Sequence, residues 1–284
     1  RQDPKSFRPI SLTPHTGKIY ERLIKNRLEY HLSKHSTIPV FQAGFKRGRG
    51  CTDHIVRLSA HIKKASAKGH PTIACFFDAK AAYDSVWLEK LYHKLGNVGI
   101  SGAMYNAIKA MTQERVMRVK SGTGLSEQHG LDMGVPQGSI LSPILYNIMM
   151  HDISDVPMKK TNIALYADDL TIWSTVQYKK FSDRTCKIIM KSFQSEVDKI
   201  VQYMDLNGFI LSPDKTALIF FPARHRVDTS KFHITIYGQK ITASPTVKFL
   251  GVVFDQALSW GPHVQHLLDK ASSAVGLIRS LRYV

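Results

Sequence analysis

Ile163-Ala164-Leu165-Tyr166-Ala167-Asp168-Asp169-Leu170-Thr171-Ile172-Trp173 is the stretch that decides the fold. Two short apolar runs flank an acidic pair, which predicts a β-hairpin with Asp168 and Asp169 at its tip. Taken alone, an Asp-Asp pair is most often only a polar turn. A second stretch changes its weight. Thr72-Ile73-Ala74-Cys75-Phe76-Phe77 is a continuous apolar run closed by Asp78. It reads as a buried strand with a carboxylate at its C-terminal end. Two neighbouring carboxylates facing a third ionise together only when a cation screens them. Hard divalent ions with oxygen ligands meet that need. A pair of them about 3.5–4 Å apart clamps the attacking and leaving oxygens of a phosphoryl transfer.

Outward from these stretches, periodicity supplies the helices. Tyr20, Leu23, Ile24, Leu28 and Leu32 recur at helical steps and predict a helix over roughly 17–34. A second follows on Ile55, Leu58, Ile62 and Ala65 and ends near Gly69 and Pro71. Between them lies a basic glycine loop, Gly44 to Gly50, with Lys46, Arg47 and Arg49. Helical patterns return around Val86 to Leu95 and over about 101–113. Arg115 to Lys120 alternates like a strand with one wet face, and Ser139 to Asp152 reads as a buried helix with Pro143 in its first turns. A long helix carries Ile189, Phe193, Val197, Ile200 and Met204 and stops at Gly208. Short strands are expected at 216–221, 232–237 and 246–254, and a last helix carries Val264 to Ile278. Hairpins without a regular βαβ series predict an α+β fold, with helices packed on one face of a mainly antiparallel sheet.

The chain has 284 residues, 43% of them hydrophobic and 10% aromatic, enough for a sizeable core and too apolar for a disordered chain. Its net charge of +17 suits a partner that carries phosphate. Cys51, Cys75 and Cys186 form neither a disulfide framework nor a zinc spacing. No run of apolar residues is long enough to span a membrane. The start at Arg1, without Met, reads as a cut from a longer protein.

Further motifs stand between and around the carboxylates. Tyr83 follows Asp78, and Gly134-Val135-Pro136-Gln137-Gly138-Ser139 precedes the hairpin. Arg8-Pro9-Ile10-Ser11-Leu12, Gln42-Ala43-Gly44-Phe45, Ser139-Ile140-Leu141-Ser142-Pro143, Asp214-Lys215-Thr216 and Phe249-Leu250-Gly251 complete an ordered set over essentially the whole chain. In this order the blocks resemble a reverse transcriptase of the non-LTR, LINE-type branch, with a jockey-like character. The resemblance implies a right-hand polymerase with fingers and palm but only the start of a thumb. Residues 1–70 would be fingers, and 71–85 the first palm strand. Residues 86–137 would connect fingers and palm, 138–254 complete the palm, and 255–284 begin the thumb. The family's endonuclease and any zinc knuckle lie outside these residues.

The resemblance also implies roles. Asp78 and Asp168, completed by Asp169, would be metal ligands for two Mg²⁺ ions, with Mn²⁺ as the alternative. Lys215 would protonate the leaving pyrophosphate. Tyr83 would be the ring that excludes a 2′-hydroxyl, and Gln137 would contact the nucleotide or the template backbone. Arg8, Lys18, Arg49 and Ala79 join them as nucleotide-binding candidates, Arg49 foremost because it stands in the basic glycine loop. Phe249, Leu250 and Gly251 would grip the primer. One departure is Ala81, where the family often carries a charge. The partners implied are an RNA template, a DNA primer or target, and deoxynucleoside triphosphates; the sequence sets no oligomeric state. The family works in the nucleus after assembling on its RNA in the cytoplasm. The charge fits equally a decayed or domesticated copy that only binds nucleic acid, but the intact Asp78, Asp168, Asp169, Tyr83 and Gln137 favour a working catalytic core. An RNA-dependent RNA polymerase conflicts with Tyr83.

Overall fold

The computed structural model describes residues 10–177, 182–223 and 227–281. In chain order the elements are α1 (His15–Lys34), α2 (Cys51–Ala67), β1 (Thr72–Phe77), α3 (Leu88–Asn97) and α4 (Gly102–Thr112). A ribbon follows, β2 (Arg115–Met117), β3 (Lys120–Ser121), β4 (Gly124–Leu125) and β5 (His129–Leu131), then α5 (Ser142–Met149). Next come β6 (Thr161–Tyr166), β7 (Asp169–Thr175), α6 (Asp183–Leu206) and β8 (Ala217–Phe221). The chain closes with β9 (His233–Ile236), β10 (Gln239–Thr242), β11 (Thr246–Phe249), β12 (Val252–Asp255) and α7 (Gly261–Leu281). Among the described residues no helix is long and apolar enough to cross a membrane.

The chain divides into two compact units. One comprises Gly48–Asp78, Met158–Val201 and Ser212–Val284. Its centre is an antiparallel sheet in the order β6-β7-β1-β8. All six residues of β1 are buried, as its unbroken apolar run requires. On one face Ala74, Phe76, Trp173, Ile219 and Phe221 pack with Leu58 and Ile62 of α2 and with Val247, Phe249 and Phe254 of the β11–β12 hairpin. The same helix covers the outer edge of β6. His54 Nε2 lies 3.0 Å from the Leu165 carbonyl, and Arg57 Nη1 donates to the Ile163 carbonyl at 3.1 Å. The edge carbonyls are thereby satisfied, and the strand offers less of a template for another chain. Asp255 shapes the step from β12 into α7 by accepting the backbone N–H groups of Ala257, Ser259 and Trp260.

The second unit comprises Arg1–Arg47, Ala79–Pro157 and Gln202–Leu211. Here α3 packs against α4 and α5. Helix α1 buries Glu21, Ile24, Leu28 and Leu32, whereas Tyr20 and Leu23 stay exposed. The buried stripe is therefore rotated from the apolar pattern and admits a glutamate. Glu21 Oε2 accepts from Ser139 Oγ at 2.8 Å and from the Ile140 backbone N–H, so its charge is answered inside the unit.

Four expectations change. The helix over Ser139 to Asp152 begins only at Ser142, with Pro143 in its first turn, and gives way to a 3₁₀ turn at His151–Asp155. Ser139 is held out of the helix because its hydroxyl accepts from Leu141 N and Ser142 N. The strand over 246–254 is a hairpin, β11 and β12, turned at Leu250 (φ 47°) and Gly251 (φ 86°). Arg115 to Lys120 has no dry face. Arg115–Met117 pairs with β5 and Lys120 with β4, in two separate two-stranded ribbons, and Val116 and Met117 are exposed. The strand over 232–237 has a partner that the pattern does not signal, β10, joined through the left-handed Tyr237 and Gly238.

This second unit also buries a charge. Lys94 is 2% exposed. Its Nζ donates to the Met149 carbonyl at 2.6 Å and to Asp152 Oδ1 at 2.7 Å, and the Tyr203 hydroxyl donates to the same Oδ1 at 2.6 Å. Burial pulls the ammonium below the ordinary lysine value. Burial also acts upward on Asp152, but the bonds from Lys94 and Tyr203 outweigh it and hold the carboxyl below its ordinary range. The short hydrogen bonds from Lys94 and Tyr203 to one carboxylate oxygen hold the pair in its charged form. A carboxylate so depressed stabilises the fold above its unfolded value and loses that contribution as pH falls through the folded one. Asp152→Ala should lower stability at neutral pH by about 2–4 kcal/mol, since it leaves a buried ammonium without its counter-charge. Urea unfolding measures this, and the gap from wild type should narrow on acidification.

Candidate active site

Strand β1 delivers Asp78. In the antiparallel register Phe77 faces Leu170, and Tyr166 faces Asp169 across the hairpin. Asp78 thus stands one rung beyond Phe77, opposite Asp169, with Asp168 next at the tip. Alternation along the strand puts Asp78 on the face of Phe76. The turn is tight: Ala167 takes φ 56°, and the exposed Asp168 and Asp169 follow it. On the other side Ser212 N donates to the Asp78 carbonyl at 2.8 Å. The turn after Ser212 closes through Lys215 N and Thr216 N onto the Ser212 carbonyl and presents Lys215.

Lys215 Nζ lies 3.6 Å from Asp78 Oδ2. That is an ion pair but too long for a hydrogen bond. The Asp78 side chain is 39% exposed as a whole, yet Oδ2 itself is shielded from solvent and has no hydrogen-bond partner. A shielded carboxylate oxygen without a donor is chemically suited to a hard cation. Among the described residues no three His, Cys, Asp or Glu side chains converge to hold one. The donor set fits a divalent ion by its chemistry; the three carboxylates stand at one end of the sheet without closing on a common point.

The β11–β12 turn belongs to the same unit. Phe249 is buried, its ring 5.0 Å from that of Phe76, so the turn carrying Leu250 and Gly251 is tied to the strand that carries Asp78. Leu250 tolerates a positive φ with its side chain packed on that cluster. Arg49 is also in this unit, exposed and 3.8 Å from Asp53 Oδ1.

Tyr83, Gln137, Ala79 and Lys18 belong to the other unit. Lys18 is half-buried in the first turn of α1, and Ala79 is buried in a bridge to Leu211. Arg8 lies outside the described residues. Gln137 and Tyr83 are held by one backbone arrangement. Gly134 N donates to the Val86 carbonyl and Val135 N to the Tyr83 carbonyl, each at 2.8 Å. Gln137 Nε2 donates to Asp84 Oδ2 at 2.9 Å, and the Gln137 carbonyl accepts from Ser11 N at 2.7 Å. A carboxylate only accepts, so Asp84 fixes which end of the Gln137 amide turns toward it. Arg115 Nη2 donates to the carbonyls of Met133 at 2.7 Å and Gly134 at 2.6 Å and clamps the start of the segment. Nothing in the sequence singles out Arg115 or Glu21 for a role; Asp84 is signalled only by its adjacency to Tyr83, and Ser11 only by its place in the Arg8–Leu12 block.

Gly134 is the tightest point. It takes φ 81°, and a Cβ there would lie 2.6 Å from the Asp84 carbonyl oxygen. Gly134→Ala should therefore destabilise the protein by about 3 kcal/mol, from the left-handed backbone and the overlap together. Denaturant unfolding of the variant tests this, and a change under ~0.5 kcal/mol would show that the close approach relaxes freely.

Residues 1–254 match the family described as reverse transcriptase (RNA-dependent DNA polymerase). Among curated proteins, the probable RNA-directed DNA polymerase from transposon BS of Drosophila melanogaster is 27% identical over 270 residues, covering 93% of this chain and 29% of that protein. The RNA-directed DNA polymerase from mobile element jockey of Drosophila funebris is 28% identical over 272 residues, covering 93% and 28%. The chain thus spans under a third of the length of these relatives. Among solved structures, telomerase from Candida tropicalis superposes with a TM-score of 0.56 at 13% identity, over 83% of this chain and 36% of that one. Telomerase from Candida albicans gives 0.54 at 15% identity, over 86% and 39%. At such identities the likeness speaks for the fold, that of a right-hand polymerase built on an antiparallel sheet. The jockey-like order of motifs and the family match over most of the chain agree: this chain belongs to the reverse transcriptase (RNA-dependent DNA polymerase) family.

Proposed function

We propose that the chain is the polymerase core of a non-LTR retrotransposon reverse transcriptase. It would extend a DNA 3′-hydroxyl on an RNA template, using deoxynucleoside triphosphates. The observation that carries the reading is Asp78 Oδ2, shielded and without a hydrogen-bond donor, in register with Asp169 beside the hairpin tip. Asp78 and Asp168, with Asp169 beside them, would hold two Mg²⁺ ions, with Mn²⁺ as a substitute. When bound, such ions lower the proton affinity of the primer hydroxyl and neutralise the triphosphate. Lys215 Nζ carries a proton for the oxygen of the departing pyrophosphate. Tyr83 walls off the space that a 2′-hydroxyl would occupy, and Gln137 contacts the nucleotide. Phe249, Leu250 and Gly251 press on the primer terminus. Arg49 and Lys18 contribute charge toward phosphate, in keeping with the net charge of +17.

In this reading residues 1–70 form the fingers, 71–85 and 138–254 the palm, 86–137 their connection, and 255–284 the start of the thumb. The protein acts in the nucleus after assembling with element RNA in the cytoplasm. Extension of oligo(dT) on poly(rA) with Mg²⁺ tests the chemistry. Wild type should extend, and Asp168→Asn should lose at least about a hundredfold of the rate, because it removes a charged ion ligand. Failure of both to extend a primer–template that still binds would move the assignment to a copy that only binds nucleic acid.

A further inference from the structure

A side chain that excludes one hydroxyl group discriminates only if it does not yield. Three constraints hold Tyr83. Its carbonyl accepts from Val135 N at 2.8 Å, and Asp84 N, next in the chain, donates to the Ala81 carbonyl at 2.9 Å. Gly134 lies against the Asp84 backbone with no room for a Cβ, so this segment has little freedom to shift as a unit. The third constraint is aromatic. The Tyr83 ring stacks on Tyr146, with centroids 5.1 Å apart and planes 22° from parallel. Tyr146, on α5, is fully buried and meets the fully buried Phe209, at 5.7 Å and 60°. Helix α5 is itself pinned. Glu21 holds Ser139 and Ile140 just before it, and Asn147 Nδ2, next to Tyr146, donates to the Gly44 carbonyl at 2.9 Å. Three rings thus run from the half-buried Tyr83 into the core.

We infer that Tyr146 is a positioning residue for sugar selectivity: its ring is the stop that keeps Tyr83 from tilting away from a ribose. The inference rests on the proposal that Tyr83 excludes the 2′-hydroxyl. The aromatic face supplies the stop, so Tyr146→Phe preserves it, whereas a flexible aliphatic side chain lets the ring above it sink. A residue that only maintains the fold would slow deoxynucleotide and ribonucleotide alike and leave their ratio unchanged. One that positions the wall changes the ratio.

The experiment compares kcat/KM for dATP and ATP opposite a templating uridine in RNA. It uses wild type, Tyr83→Ala, Tyr146→Phe and Tyr146→Leu. Tyr146→Phe should keep the preference for dATP within about twofold, and Tyr146→Leu should erode it by about tenfold, mainly through improved use of ATP. Should Tyr146→Leu fail to fold, Tyr146→Met, whose unbranched side chain adapts to irregular gaps, carries the same expectation. A preference that collapses in Tyr83→Ala but survives in the aliphatic Tyr146 variant overturns the inference and leaves the wall in place. A preference untouched in Tyr83→Ala removes the wall, and the positioning role with it.

Discussion

Six consecutive buried residues, Thr72–Phe77, lie hydrogen-bonded between β7 and β8, and the register of that strand governs the candidate chemistry. Side chains alternate along a strand, so a slip of one residue would send Asp78 to the opposite face of the sheet. The slip is prevented by burial on both sides. Ala74 and Phe76 are committed to the cluster with α2 and the β11–β12 hairpin, while Ile73, Cys75 and Phe77 are equally buried. Moving either set would expose apolar surface along the whole strand. A core interaction therefore places a carboxylate at the end of a central strand, opposite the acidic pair. The Asp78 Oδ2 without a hydrogen-bond donor, ion-paired with the Lys215 ammonium, follows from that placement.

The other unit solves a different problem with the same economy of parts. The segment from Gly134 to Ile140 is irregular backbone, and irregular backbone needs partners for its polar groups. It finds them in the Tyr83 and Val86 carbonyls, the Glu21 carboxylate, the Arg115 guanidinium and Ser11 N, while the Gln137 side chain turns to Asp84. Glycine is required at Gly134 and at Gly138, where a Cβ would lie 2.8 Å from the Ser11 carbonyl oxygen. The turn is thereby a rigid mount, and both Tyr83 and Gln137 ride on it.

Much of this could be read from the chain alone, for identifiable reasons. The β1 run and the β6–β7 hairpin are legible because a buried strand and an acidic turn leave local signatures. The helices are legible through their periodicity, although α1 shows the limit. Its buried face includes Glu21, whose partners Ser139 and Ile140 lie far along the chain, and no local pattern announces such a pair. Asp84 and Arg115 were invisible for the same cause, since their value depends on long-range polar contacts. Strand β9 falls within the expected 232–237, but β10 leaves no pattern, because Ile241 alone among its residues is buried. The β2–β5 ribbon was misread because alternation implies a covered face, and none covers Val116 or Met117 among the described residues. The ordered carboxylates, Tyr83 and Gln137 were legible as types; what surrounds and fixes them was not.

Both units are discontinuous in the chain, and this bears on how the protein is made. Strand β1 is complete once Phe77 leaves the ribosome, yet its neighbours are β7 and β8, and β8 ends only at Phe221. At about 5–20 residues per second, this wholly buried strand waits on the order of ten seconds for its second partner. An unpaired strand of this composition is a template for association between nascent chains. The amphipathic helix α2, made just before β1, can shield one face of it during that interval, so α2 serves the newborn chain as a cover before it serves the folded one as core.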